Sequence, residues 1–221
     1  MATFTVEEFN YPTASTDDVA QIRAVYEHAF SVDIGLQFDA ALDADFTQPL
    51  AYYAADVRGA YFVVRQMNAE SSSSDATHIR KAAGDAESTL HDSSSSCGNY
   101  KSKGIIVGTA GIRAIRVVET CADFADTARA SNDDDVGSAD SRICELKRMF
   151  ILTVGRGKGL ASAMLRLILA KAKGLGFAVM VLDTCQKLVA ANALYEKAGF
   201  AECSNYNGNP RADRFMALKL T

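Results

Sequence analysis

The segment TVGRGKGLASAML, Thr153 to Leu165, constrains this chain more than any other. Three glycines, an arginine and a lysine fill Gly155–Gly159, directly before a run that turns apolar at helical spacing. Upstream, ICELKRMFILTV reads as a strand. Downstream, GKGLASAMLRLILAKAKGLG reads as a helix closed by Gly174 or Gly176, with Leu160, Met164, Ile168 and Ala172 recurring every four residues and Ala161, Leu165 and Leu169 beside them. FAVMVLDT follows as a buried strand. A strand that ends, a glycine turn and a helix that begins make an anion site by geometry. The first N–H groups of a helix have no internal partner, the macrodipole is positive there, and glycine lets a ligand approach the backbone. Arg156 and Lys158 add charge, so the natural guest is a phosphate or pyrophosphate.

The remaining pattern is mixed α and β. FTVEEFNY reads as a first strand, and STDDVAQIRAVYEHAF as a helix with Ser15 as N-cap and Val19, Ile22, Val25 and Tyr26 on its apolar face. FDAALDADF reads as a second helix. GAYFVVRQM and GIIVGTAGIRAI are β-branched, glycine-bounded strands that suit an antiparallel pair. After the glycine turn, KLVAANALYEKAGF is a further helix and DRFMALKL a terminal strand, an alternation that suits helices packed on a sheet. Residues 70–103, with two SSSS runs, and the small, acidic residues 118–142 lack the bulky apolar side chains that would offset ordering entropy. Both read as long loops inserted in one domain, since loop length costs stability slowly.

Composition excludes several classes. With 48% hydrophobic and 23% charged residues the chain is of the globular kind, and no apolar run nears the roughly 20 residues of a membrane span. MATFTVEEFNYPTASTDD carries no basic residue before an apolar block, which argues against secretory or mitochondrial signals and for a cytoplasmic address. The five cysteines, Cys97, Cys121, Cys144, Cys185 and Cys203, include no C-x-x-C pair, and the three histidines are scattered, so no metal site is expected. A formal net charge of −4 disfavours nucleic-acid binding and is compatible with a cationic substrate.

Three phosphate-binding patterns compete for the glycine turn. A P-loop needs Ser or Thr after its lysine, and Lys158 is followed by Gly159. A dinucleotide fingerprint needs a third glycine where Ser162 stands, and too little chain follows Asp183 to complete a doubly wound sheet. The third is an acyl-CoA site. R156-G-K-G159-L-A161 resembles the R/Q-x-x-G-x-G/A signature of the GNAT superfamily of acyl-CoA-dependent N-acetyltransferases, CELKRMFI resembles its fourth strand, and ALYEKAGF its characteristic helix end. The resemblance runs from Ile105 to the carboxyl terminus, apart from the acidic loop. It implies one α/β (α+β) domain over residues 1–221. Its mixed, mostly antiparallel sheet of about seven strands would have a central splay and about four flanking helices.

The resemblance also implies a chemistry. The pyrophosphate of acetyl-CoA would lie on Arg156, Gly157, Lys158, Gly159, Leu160, Ala161 and Ser162, and the pantetheine arm would pair with backbone groups of Met149, Phe150 and Ile151 as an added strand. A neutral amine would attack the thioester through a tetrahedral oxyanion, held by the N–H of Ile151 or a neighbour. Tyr195 matches the family's acid, while Glu145 and Asp183 stand where its members hold a base. Many members place Asn where this chain has Leu188; Asn192 is the available substitute. Tyr206, Asn209 and Arg211 fall in the last hairpin, where Asn-Gly and Asn-Pro are primarily turn formers. The expected acceptor is a small-molecule amine, with no nucleic-acid or membrane partner, and the family allows a homodimer. A protein N-terminus or lysine as acceptor, or a non-catalytic coenzyme A sensor, are the alternatives.

Overall fold

The computed structural model describes residues 2–39, 41–67, 104–115 and 142–220. The expected loop insertions at 70–103 and 118–142 lie outside the described residues, apart from Arg142 at the start of the next strand. Among the described residues, seven strands form one sheet: β1 (Thr3–Phe9), β2 (Ala60–Met67), β3 (Ile105–Ala114), β4 (Ile143–Ile151), β5 (Val179–Thr184), β6 (Ala201–Glu202) and β7 (Arg214–Lys219). Their order is β1-β2-β3-β4-β5-β7-β6, and only β4 and β5 run parallel. The helices are α1 (Thr16–His28), the short α2 (Ala44–Thr47) and α3 (Pro49–Tyr53), then α4 (Leu160–Gly174) and α5 (Val189–Lys197).

β2 and β3 form the expected antiparallel pair, Ala60 opposite Ile112 and Val64 opposite Gly108. Burial is unbroken from Ala60 to Arg65 and from Ile106 to Ile112, which requires cover on both faces of the sheet. α4 supplies part of it by packing across β1 to β4, and α1 packs on β3 and β4. The α4 stripe forms as its spacing predicts. Met164, Leu165, Ile168 and Ala172 are buried in the main core, each large side chain contributing about 1.5–3 kcal/mol relative to exposure.

At α1, Ser15 caps as expected, its hydroxyl accepting from the Asp18 N–H at 3.1 Å. Ile22, Val25 and Tyr26 are buried, but Val19 is 40% exposed and lies off the core face. α1 runs on into a π-helical turn, Ala29–Ile34, ended by Gly35 in the left-handed conformation. The helix expected over FDAALDADF does not form as one piece. The Asp39 carboxylate accepts from the N–H groups of Ala41 and Leu42, and the Asp43 carboxylate from the N–H of Asp39. These side chains offer the backbone a turn in place of a helix, and α2 starts only at Ala44.

The sheet parts at its centre. β4 pairs with β5 only at Ile143, Cys144 and Glu145. Beyond Glu145, among the described residues, β4 is paired on its β3 side alone, and there its register shifts so that Arg148 and Met149 stand between pairs that flank one β3 residue, Ala110. Arg148 occupies the left-handed region at φ 57°. A bulge of this kind adds local twist and turns the strand away from its neighbour.

Candidate active site

The parted strands open a cleft of about 890 Å³ lined by β4, the glycine turn, the start of α4, the end of β5 and α5. Along β4, the Leu152 N–H donates to the Val107 carbonyl at 2.8 Å. Strand alternation therefore sends the backbone groups of Phe150 toward β3 and those of Ile151 toward the cleft. The Ile151 carbonyl already accepts from Arg156 Nε at 2.9 Å. Of the three β4 residues expected to offer backbone groups, all line the cleft, but Phe150 turns its own inward and contributes a ring that packs edge-on against Tyr26 and Phe30.

The glycine turn fits a diphosphate. Gly157 and Gly159 have φ of 71° and 73°, and a Cβ at either position would meet nothing within 4 Å. No side chain caps α4, and its first internal bond runs from the Ala163 N–H to the Gly159 carbonyl. The N–H groups of Leu160, Ala161 and Ser162, residues that line the cleft, are the orphan donors of the helix start. Arg156 is also on the cleft, with its guanidinium paired to Asp33 of the π-helical turn. Lys158 departs from expectation. It is not part of the cleft lining, and its ammonium stands 5.7 Å from the Phe4 ring centroid on β1.

The candidate acid and bases sit on the β5 side. Tyr195 lines the cleft from α5, its ring edge-on to Phe200 at 5.8 Å. Burial, with the negative charge of Asp183 behind it, pushes its hydroxyl well above the usual tyrosine value, so Tyr195 carries its proton at neutral pH. Asp183 also lines the cleft. It accepts from Lys147 Nζ at 3.1 and 3.2 Å, Asn207 Nδ2 at 2.9 Å and Asn209 Nδ2 at 2.7 Å. Burial alone would raise its pKa, but Lys147 and the two amides outweigh it and hold the carboxyl below the ordinary range. Glu145 is placed differently. It is 1% exposed, is not among the cleft-lining residues, and takes hydrogen bonds from Arg113, Tyr206 and Asn207 with Lys147 at 3.3 Å. Its position is that of a buried counter-ion beneath Arg113 and Lys147.

Asn192 does not stand in for the missing asparagine at Leu188. Its Nδ2 donates to the carbonyls of Cys185 and Gln186 and its Oδ1 accepts from Thr184, so it fastens the β5–α5 turn. Leu188 itself lines the cleft. Asn209 and Arg211 of the last hairpin reach the cleft, whereas Tyr206 lies beneath it on Glu145.

One part of the site has no sequence signal. Arg148 turns back from its bulge to pair with Asp43 at 3.0 Å and with both oxygens of Asp45, and it donates to the Tyr26 hydroxyl at 3.0 Å. Tyr53 donates to Asp45, and Arg211 to Asp43 at 3.0 and 3.2 Å. This network ties the segment before α3 to the bulge and the last hairpin along the cleft.

Comparison with known proteins agrees with this geometry. The acetyltransferase (GNAT) family model matches residues 61–200, and the chain belongs to that family. An uncharacterized N-acetyltransferase of Dictyostelium discoideum is 34% identical over 79 residues, 36% of this chain and 37% of that protein. One of Escherichia coli is 42% identical over 62 residues, 28% and 37% of the two chains. The match thus spans well under half the length of these relatives. Among solved structures, a GNAT-family acetyltransferase from Staphylococcus aureus superposes with a TM-score of 0.64 at 14% identity, covering 99% of this chain and all of that one. A putative acetyltransferase from Salmonella typhimurium, solved with its cofactor acetyl-CoA, gives 0.56 at 16% identity over 99% and 95%. At these identities the likeness is one of fold.

Proposed function

We propose that the protein is an N-acetyltransferase that moves the acetyl group of acetyl-CoA to the primary amine of a small molecule. The observation that carries this reading is the meeting, in one cleft, of an open β4 edge, an uncapped helix start behind two left-handed glycines, and a protonated Tyr195. The Salmonella relative in fold, solved with acetyl-CoA, supports the choice of donor. A small acceptor is the reading we prefer, with Arg211 and Asp43, paired on the cleft lining, as fixed polar contacts for it. A protein acceptor needs a groove open across the face.

Acetyl-CoA supplies an activated acetyl thioester. The transfer forms a C–N bond to the amine and breaks the C–S bond; the amine loses a proton and the departing sulfur gains one. Tyr195 holds a proton at neutral pH and is the donor to sulfur. Asp183, ionised and on the cleft wall, accepts a hydrogen bond from the amine or from a water that relays its proton. With its pKa held down, it anchors and orients the amine, and bulk water is the final proton sink. Glu145, buried beneath Lys147 and Arg113, keeps both in place.

Tyr195→Phe removes the donor and leaves the ring packing. Its kcat is expected to fall about 100-fold while the Kd for acetyl-CoA stays within about twofold of the parent. The assay is release of coenzyme A over a panel of primary amines. Binding of acetyl-CoA by the parent without turnover on any amine would reassign the protein as a sensor.

A further inference from the structure

The charges around the acceptor end are not evenly presented. Carboxylates and cations pair there, but the cations are the more exposed. Side-chain exposure is 22% for Arg113, 16% for Arg211 and 13% for Lys147, against 1% for Glu145, Asp43 and Asp45 and 8% for Asp183. The cleft lining therefore carries both signs, Asp43, Asp45 and Asp183 with Arg113, Lys147 and Arg211, but the cations are the more exposed partners and only Glu145 lies off it. The chain's overall negative charge suggests a cationic substrate, and the local order of charges reverses that suggestion.

Two of these cations also keep donors to spare. Arg113 spends Nε and Nη2 on one oxygen of Glu145, and Arg211 spends only Nη1 on Asp43. Among the described residues, Nη1 of Arg113 and Nε and Nη2 of Arg211 have no partner. Both planes are fixed, Arg113 with its guanidinium carbon 5.3 Å from the Tyr52 ring centroid and Arg211 with its own 5.4 Å from that of Phe30. A rigid guanidinium with a free edge matches the two oxygens of a carboxylate, and its order is already set before the ligand arrives.

We infer that the acceptor is a primary amine that also carries a carboxylate, held by the free edges of Arg113 and Arg211 on the cleft lining. This rests on the acetyltransferase reading above and names the substrate class for that site. Its amine would lie toward Asp183 and Tyr195, and its carboxylate toward the arginines. A simple polyamine brings no acceptor for the spare donors of Arg113 and Arg211.

The test is kcat/KM for matched sets, for example leucine, leucinamide and isoamylamine, and phenylalanine, phenylalaninamide and phenethylamine. The free acids are expected to exceed their amides and decarboxylated amines by at least about tenfold, since a charged bidentate pair contributes about 1.5–3 kcal/mol and tenfold is about 1.4 kcal/mol. The amides have the lower amine pKa and more free base, so chemistry alone would favour them. Arg211→Met is expected to lower the ratio of acid to amide about tenfold, and Arg211→Lys, which keeps the charge beside Asp43 but loses the fork, to lower it less. Parent enzyme that turns over amides or decarboxylated amines as well as or better than the acids overturns the carboxylate assignment and leaves the acetyltransferase reading standing. Turnover of none of them, nor of any other amine, overturns both.

Discussion

Gly159→Val is expected to weaken acetyl-CoA binding at least about 100-fold by calorimetry, a loss of about 2.7 kcal/mol or more, while the variant remains folded. Gly159 is the N-cap of α4 with φ 73°, and nothing lies within 4 Å of the position its Cβ would take. That open space is where a diphosphate would approach the orphan N–H groups of Leu160, Ala161 and Ser162, and a branched side chain would fill it. A left-handed conformation also strains valine by about 1–2 kcal/mol, which lowers Tm by a few degrees in a chain of this size. That is a fraction of a typical folding free energy, so binding can be measured on folded protein. Gly174→Ala, at the far end of the same helix and without a positive φ, controls for changes to α4 itself and should bind as the parent does. A Gly159→Val variant with the parent's affinity would place the diphosphate elsewhere.

The elements that sequence reveals best here are those whose pattern is local. The four-residue apolar repeat of α4, the β-branched runs of β2 and β3, and the Ser15 cap each follow from neighbours within a turn or two, and they form with ends shifted by a few residues. The glycine turn is legible for the same reason, since two left-handed glycines before a helix are written in adjacent letters. Where short polar side chains compete for the backbone, local pattern misleads. Aspartates in FDAALDADF bind nearby N–H groups, and the expected helix gives way to a turn and the start of the short α2.

The walls of the cleft are hidden for another reason. Glu145 and Asp183 look equivalent as carboxylates near strand ends, and only the parting of β4 from β5 puts Asp183 on the cleft and Glu145 under two cations. Lys158 stands beside Gly159 in sequence, yet the turn sends its ammonium toward Phe4. One end of the cleft joins Asp43, Arg148 and Arg211, residues far apart along the chain, through contacts no spacing rule encodes. The bulge itself falls at Arg148 in KRMF, with no glycine to announce a left-handed residue.

That bulge yields the second large effect. Arg148→Met is expected to destabilise the fold by about 3–5 kcal/mol at neutral pH, the usual consequence of leaving a buried charge without its partner, and to lower Tm by about 10 °C. Arg148 is 7% exposed and Asp43 and Asp45 1% each, so water cannot replace the lost guanidinium. Arg211 still faces Asp43, but among the described residues Asp45 keeps only the Tyr53 hydroxyl as a direct partner. The pH dependence identifies the cause. Burial would raise the Asp45 carboxyl, and the hydrogen bonds and charge of Arg148 outweigh it and hold it below the usual range. A carboxyl with its folded pKa depressed contributes stability that is complete above its unfolded value, about 3.9, and that disappears as pH falls through the lower folded value. In the variant the same carboxyl, buried without a cation, is pushed upward and takes a proton more readily. The stability gap between parent and variant should therefore be widest near pH 7 and shrink as pH falls toward 4 and below. Urea titrations at pH 7, 5 and 4 read this gap directly. A gap that is small at pH 7, or that does not change with pH, would mean that packing of the arginine stem, and not its charge, holds the Asp43–Asp45 segment to the bulge.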